Sequence, residues 1–398
     1  MIEIKNKTDC CGCTACANIC PKDAIVMKPD FEGFLYPQIL ADKCVDCGLC
    51  EKACPVVNKP EKQDDLLEGY VLRTKDRQVL QNSTSGGFTT PLVEWVLRQG
   101  GAICVATYDK DFKVVHEIIE TMDAEQIARS RGSKYVQSGL GDCYTRIKSL
   151  LKQDRLVCFV GTTCQVAGLK AFLGKEYDKL LTVDLVCHGT PSPKLWDKYL
   201  AYQKEKYGSE FSEIVFRNKT YGYHSGTMKI CFSNGKTYYG SARVDPMLKS
   251  FFREIASRPI CYQCPFKKLE RCSDFTIYDC WHAGELVAGL NDDDKGFTNV
   301  IVQSEKGRRV LEHIRGHYEI YPADVEKAVK LDGSMVRGSA TPHKRRAEYY
   351  VDLDRHGLPE HIAAFIPVSG KDRLIERCKV GVYRLGLYAV LKKLKDKN

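Results

Sequence analysis

Two short stretches near the amino terminus restrict the fold more than anything else in the chain. "CCGCTACANICP" places Cys10, Cys13, Cys16 and Cys20 at CxxCxxCxxxC with Pro21 behind them, and "CVDCGLCEKACP" repeats the run with Cys44, Cys47, Cys50, Cys54 and Pro55. This is the spacing that holds two cubane [4Fe-4S] clusters, the fourth cysteine of each run serving the other cluster. Three closely spaced thiols converge from one tight loop, and the fourth is expected to start a short helix pointing at the neighbouring site. Crossed ligation then assigns Cys10, Cys13, Cys16 and Cys54 to one cluster, and Cys44, Cys47, Cys50 and Cys20 to the other. Two zinc knuckles would use the same residue type, but the duplicated four-cysteine run closed by proline is the iron–sulfur pattern. Cys11 is a spare thiol in this scheme.

Adjacent clusters of this ferredoxin type relay electrons and do not transform a substrate, so a partner site is expected downstream. Twenty cysteines in 398 residues could also mean a disulfide scaffold. The opening "MIEIKNKTDCC" lacks a basic start followed by a long apolar run, so a reducing, cytoplasmic setting is expected, where thiols bind metals. No stretch reaches the roughly 18 uncharged apolar residues of a spanning helix; "VGVYRLGLYAVL" comes nearest and carries Arg384. Of the net charge of +9, most sits in residues 371–398, with nine Lys or Arg against three Asp or Glu. A basic, partly apolar terminal helix suits either a solvated helix packed on the body or peripheral contact with an anionic membrane. Charge confined to one tail, with no basic stripe bearing aromatics, argues against nucleic acid.

The expected organisation is a two-cluster module over 1–60, a linker over 61–68 within the polar "NKPEKQDDLLEG", a larger domain over 69–320 and a carboxyl-terminal extension over 321–398. From Gly69 strands alternate with helical periodicity, the signature of an α/β or mixed α+β sheet covered by helices. "NSTSGGF", residues 82–88, precedes the helix "FTTPLVEWVLRQ"; such a turn can cradle phosphate on free amides or simply cap the helix. Two strand–helix units follow, "RLVCFVG" with "TTCQVAGLKAFLG" and "LLTVDLVCHG" with "TPSPKLWDKYLAYQKEK", in which Ser192 and Pro193 suit a helix start. Parallel strands would bring Cys164 and Cys187 to one carboxyl edge of the sheet, where ligands of open α/β sheets collect. Cys104, Cys158 and Cys231 read as small core residues. The claw Cys261–Cys264 in "CYQCPFKK" then has two solutions: a third [4Fe-4S] site shared with Cys164 and Cys187, or a local site with Cys272 and Cys280, each after seven intervening residues.

Seven segments in order resemble the family of coenzyme F420 hydrogenase/dehydrogenase beta subunits: "STSGGF", "DFKVVH", "GSKYVQS", "FVGTTCQVAGL", "VDLVCHGTPSP", "RPICYQCPF" and "DDDKGFTNVIVQSEKG". The resemblance implies a flavoprotein with FAD beside a [4Fe-4S] cluster, archaeal members exchanging hydride with a reduced deazaflavin. It makes Ser85, Gly86 and Gly87 expected FAD phosphate contacts and Lys134 a partner for flavin or an anionic substrate, against the plain reading of a surface lysine. It makes His188 a proton or hydrogen-bond donor near the flavin, against a histidine satisfied by its own loop. It also favours Cys164, Cys187, Cys261 and Cys264 over the local site. Two departures stand out: Thr163 where relatives show proline, and "YDCWHAGE", which keeps Asp279 and Trp281 but has Cys280 and His282 in place of an aromatic and a glycine. The implied function is an FAD and iron–sulfur oxidoreductase linked to a partner protein or to a deazaflavin, nicotinamide or ferredoxin donor. The alternative is a non-catalytic electron-transfer subunit, its wider setting surface-polysaccharide synthesis. "ATPHKRRAEYYVDLDRHG" reads as a solvated helical appendage.

Overall fold

The structure, a computed structural model, describes residues 1–62 and 65–387. Residues 63–64 of the expected linker and 388–398 of the expected basic helix lie outside the described residues. The amino-terminal module pairs β1 (Ile25–Pro29) with β2 (Leu35–Ile39) between the two cysteine runs. The strands that follow in the body are β3 (Glu68–Thr74), β4 (Ala102–Tyr108), β5 (Val114–Ile119), β6 (Val157–Thr162) and β7 (Leu180–Leu185). A smaller sheet is formed by β8 (Phe211–Asn218), β9 (Thr227–Phe232) and β10 (Thr237–Ser241), and the chain returns through β11 (Phe275–Cys280), β12 (Phe297–Val302) and β13 (Tyr318–Ala323).

Eight strands make one mixed sheet in the order β13-β3-β12-β11-β7-β6-β4-β5. Its centre is parallel, β4 with β6, β6 with β7 and β7 with β11, and its flanks are antiparallel. Strand periodicity explains the two covered faces. In β6, Val157 and Phe159 pack with the helices Cys143–Lys152 and Thr163–Leu173, while Cys158 and Val160 join the opposite core with Thr89–Arg98 and Glu305–Ile314. The helix Thr163–Leu173 begins in a capping box between Thr162 and Gln165, so threonine in place of proline at 163 leaves its start intact.

Several expectations change here. In each cysteine run the short helix, Ala15–Ile19 or Leu49–Lys52, precedes the fourth cysteine and does not follow it. Pro21 is the reason in the first run, since the residue before proline is pushed out of helical geometry and Cys20 is extended at φ −71°, ψ 112°. The segment expected as a solvated appendage is packed: Tyr349, Tyr350 and Leu353 are buried with Trp196, Tyr199 and Phe34. Arg346 pairs with the buried Glu32 of the amino-terminal module at 2.7 Å. The helix Gly370–Arg384 also rests on the body, Glu376 accepting from Ser241 Oγ at 2.6 Å. Cys231 is half-exposed on β9 beside Glu213 and not in a core, whereas Cys104 and Cys158 are fully buried. The strand β13 spans residue 320, the expected edge of the larger domain. Among the described residues no helix is long and apolar enough to cross a membrane.

Candidate functional site: three thiol sets and an adjoining cavity

The tight cysteine loops behave as their spacing requires. Cys20, Cys44, Cys47 and Cys50 line one small cavity, so the fourth thiol of the first run joins the first three of the second. Backbone amides already address its sulfurs: Ile2 N donates to Cys50 Sγ and Ala24 N to Cys20 Sγ, both at 3.3 Å. In the other set the Cys16 thiol, pushed up to about 12 by burial first, also feels Cys10 and Cys54. Amides of Gly12, Ala15 and Ala17 bond the sulfurs of Cys10, Cys13 and Cys16. Such N–H···S bonds favour thiolate and, with a cluster in place, tune its potential.

The carboxyl edge of the parallel strands holds the third set. Cys164 opens the helix after β6, Cys187 follows β7, and the turn Pro259–Gln263 brings Cys261 and then Cys264 to the same place. All four line one cavity together with Thr190, Phe266, Lys267 and Arg271. Burial pushes the Cys187 and Cys261 thiols up and takes Cys264 to about 12; for Cys164 the contact with Cys11 comes first and burial second. Neutral thiols packed this closely suit a site that loses its protons when metal enters. The rival local site does not form. Cys272 is packed in the core with Leu169 and Phe172, and Cys280 is carried by β11 to a separate cluster with Val71 and Phe297. Among the described residues no three His, Cys, Asp or Glu are arranged to share a single ion.

A larger cavity of about 620 Å³, within the range of small-molecule sites, opens beside this set. Both cavities are lined by Cys11, Thr162, Cys164, Cys187, Gly189 and Thr190, so they meet along the sheet edge. Ser83, Thr84, Ser85, Gly87, Phe88 and Thr89 form part of the larger wall. Gly86 does not, and its expected phosphate contact is corrected. Its amide donates to Thr298 Oγ1 at 2.8 Å, and a Cβ there would lie 2.4 Å from Leu72 O. It locks the turn to the sheet, leaving Ser85 and Gly87 to face the cavity.

Lys134 is a half-buried residue of the cavity wall. Its Nζ donates to Arg131 O at 3.1 Å and Gly132 O at 3.3 Å, with no carboxylate within ion-pair distance among the described residues. Burial, then the neighbouring Arg129, lowers it to about 7. Lys219 supports the same turn from behind, donating to Ser85 O and Leu80 O, and burial lowers it to about 7 as well. His188 faces the cavity edge-on to Phe251. Its Nε2 is held by Glu254 from a distant segment, not by its own loop. Also in the wall, Arg217 pairs with Asp279 at 2.9 Å, donates to Tyr135 Oη at 3.2 Å and lies over the Trp281 ring, which stacks on Tyr223. His282 binds the buried Asp332 at 2.6 Å, so the residue that replaces glycine braces the rim through a carboxylate.

Sequence reading misses Arg217, Lys219 and Glu254, which belong to no motif, and Arg258, which stands inside the quoted "RPICYQCPF". Cys11, spare by spacing alone, is not isolated. Its thiol is buried between Cys13 of the first set and Cys164 of the third, interacting with both.

A module with two crossed thiol sets ahead of a mixed α/β sheet defines a protein of the iron–sulfur class. The 4Fe-4S dicluster domain matches residues 9–58, and the amino- and carboxyl-terminal models of the coenzyme F420 hydrogenase/dehydrogenase beta subunit match residues 70–142 and 154–327. The chain belongs to that family of beta subunits and carries a dicluster domain ahead of it. It is 21% identical over 370 residues to a subunit of the F(420)H(2) dehydrogenase of Methanosarcina mazei, covering 88% of this chain and 94% of that protein. It is 22% identical over 356 residues to the coenzyme F420-dependent sulfite reductase of Methanocaldococcus jannaschii, covering 87% of this chain and 52% of that protein, about half its length. A chain of the F420-reducing [NiFe] hydrogenase complex of Methanosarcina barkeri aligns at 18% identity with a TM-score of 0.44, covering 74% of this chain and 93% of that one.

Proposed function

We propose that this chain is an iron–sulfur flavoprotein oxidoreductase that exchanges two electrons with a substrate at FAD and passes them singly to [4Fe-4S] clusters linked to a partner protein. The observation that carries the reading is the shared wall: Cys164 and Cys187 line both the four-thiol cavity and the 620 Å³ cavity. FAD supplies the conversion between a hydride and single electrons.

The residues present fit that group. Lys134, half-buried in the wall, has no carboxylate partner among the described residues, and Ser85 and Gly87 of the turn line the same space, the Ser85 hydroxyl bonding Thr298 Oγ1 at 2.9 Å. Ser133 N bonds Thr84 Oγ1 at 2.8 Å, so the lysine loop and the phosphate turn are held together. In this reading Lys134 and the turn hold the pyrophosphate. Arg217, fixed by Asp279 and donating to Tyr135 Oη at 3.2 Å, presents a positive charge in the same wall, and His188, oriented by Glu254, lines the cavity next to Cys187. Cys10, Cys13, Cys16 and Cys54 hold the first cluster, Cys20, Cys44, Cys47 and Cys50 the second, and Cys164, Cys187, Cys261 and Cys264 the third. The partner is a redox protein or a reduced deazaflavin, nicotinamide or ferredoxin donor, as the named activities of the relatives suggest.

Anaerobic purification and reconstitution, followed by iron and flavin analysis, test this. About twelve irons and one FAD per chain are expected. Eight irons with stoichiometric zinc would remove the third cluster, and absence of flavin after reconstitution would leave an electron-transfer protein whose substrate site belongs to a partner. Screening reduced deazaflavin, NADH, NADPH and reduced ferredoxin for flavin bleaching identifies the donor.

A further inference from the structure

Arg258 is fully buried, three residues ahead of Cys261. Its backbone N bonds Thr190 O at 3.0 Å, which fixes it against the loop after Cys187. From there the guanidinium reaches out of the larger domain into the two-cluster module. Nε donates to Cys10 O at 2.7 Å, Nη2 to Leu35 O at 2.9 Å and Nη1 to Gln137 Oε1 at 3.1 Å, and the group lies 4.1 Å from the centre of the Tyr36 ring. It also closes on Gly12 of the first cysteine loop, where a Cβ would come within 2.9 Å of Nη1.

Every acceptor it uses is neutral. Among the described residues no carboxylate lies within ion-pair distance of Arg258, and the two acids that share the surroundings of Tyr36 are engaged elsewhere, Asp30 with Lys7 and Glu32 with Arg346. Leaving a buried cation without a counter-charge costs several kcal/mol, so an anion is expected where none of the side chains supplies one. The thiols that feel this charge are Cys10 of the first set and Cys164 and Cys261 of the third. None of these contacts of Arg258 is to a residue of the second cysteine run.

We infer that Arg258 is the shared counter-charge of the first and third cluster sites and sets the driving force for electron passage between them. The inference rests on the cluster assignment above. A fixed positive charge stabilises the more negative, reduced form of a neighbouring cluster and so raises its potential. Because the guanidinium bonds the Cys10 carbonyl and approaches the third set only through space, it favours reduction of the first site over the third. One electron then moves from the third site to the first with no bond made or broken. Arg258 is a positioning residue for that transfer.

Redox titration of reconstituted full-length protein, followed by EPR, tests the idea. Wild-type iron is counted first: eight irons there would defeat the third cluster itself, a failure separate from the one at issue. The signal of the first site is identified by its loss in Cys10→Ser and that of the second by its loss in Cys47→Ser. In Arg258→Gln the reduced-to-oxidised ratio of the first site at a fixed potential is expected to fall at least tenfold, about 59 mV for one electron. The third site should fall less, the second should not move, and Arg258→Lys should keep all three within about threefold of wild type. Unmoved potentials in Arg258→Gln, an equal shift of all three, or an Arg258→Lys protein shifted like Arg258→Gln would overturn the inference. Should Arg258→Gln fail to retain iron, Arg258→Lys with wild-type potentials upholds it and Arg258→Lys with equal iron loss overturns it.

Discussion

In the amino-terminal module eight thiols come from two runs of eleven residues each, whereas Cys164, Cys187, Cys261 and Cys264 come from three segments spread over about one hundred residues. The first arrangement needs only tight loops, two short helices and the β1–β2 hairpin. The second needs β6 and β7 in parallel register, Thr162 beside Leu185, before the first two thiols share an edge. The third segment then has to be delivered by the turn Pro259–Gln263. Ligands close in sequence carry their own geometry; ligands far apart borrow it from the sheet. The borrowed site gains a position beside the large cavity in exchange, which the module alone does not have.

The largest test of this contrast removes one borrowed ligand. Cys187→Ser or Cys264→Ser should lose about four of twelve irons and all flavin-to-cluster transfer while the two-cluster signals survive. Iron loss from all three sites together, read by iron analysis and EPR, would show that the module depends on the sheet as well.

Next in size is the cavity the borrowed site adjoins. Lys134→Ala should weaken FAD binding about tenfold to a hundredfold, the range for losing one charge-assisted bond, measured by fluorescence titration. Its pH dependence has a definite sign. With the lysine near 7 when the cavity is empty, an anionic ligand selects the charged form, so affinity holds below pH 7 and falls as pH rises above it. The slope should become shallower in Lys134→Ala, leaving the part that Lys219, also near 7 behind the turn, contributes.

Where the two regions touch, a smaller effect is expected. A Cβ on Gly168 would lie 2.8 Å from Cys13 Cβ and 2.9 Å from its Sγ. Gly168→Ala should therefore cost about 1–3 kcal/mol by overpacking, read by chemical denaturation, and slow transfer between the first and third sites. The smallest effect belongs to the rejected ligands. Cys272→Ser and Cys280→Ser should keep full iron content, and a loss of four irons in either would restore the local site.

Much of this is legible without the fold. The crossed pairing of Cys20 with the second run and the two strand–helix units with their edge cysteines follow from spacing and period. The Ser192 cap follows the same way. What stays hidden involves partners far apart in the chain. The resemblance makes Gly86 a phosphate contact; only the sheet shows its amide donating to Thr298. Tyr349 and Tyr350 read as solvated amid charged neighbours, yet the helix buries them, and Arg346, one turn earlier on the same face and over the Tyr350 ring, reaches Glu32. Cys272 and Cys280 have metal spacing, and β11 turns that spacing into separation.

By itself the sequence determined the two-cluster module, because eight thiols on two short loops leave few ways to close around iron. It determined the mixed sheet too, since strand and helix periods are local properties. Tertiary structure alone brought Cys164 and Cys187 into one cavity with the "CYQCPFKK" thiols, set Lys134 in a wall without a carboxylate partner among the described residues, and carried Arg258 across to the Cys10 loop. Those are matters of burial and of charge meeting charge across the fold, and neither is a property of any short segment.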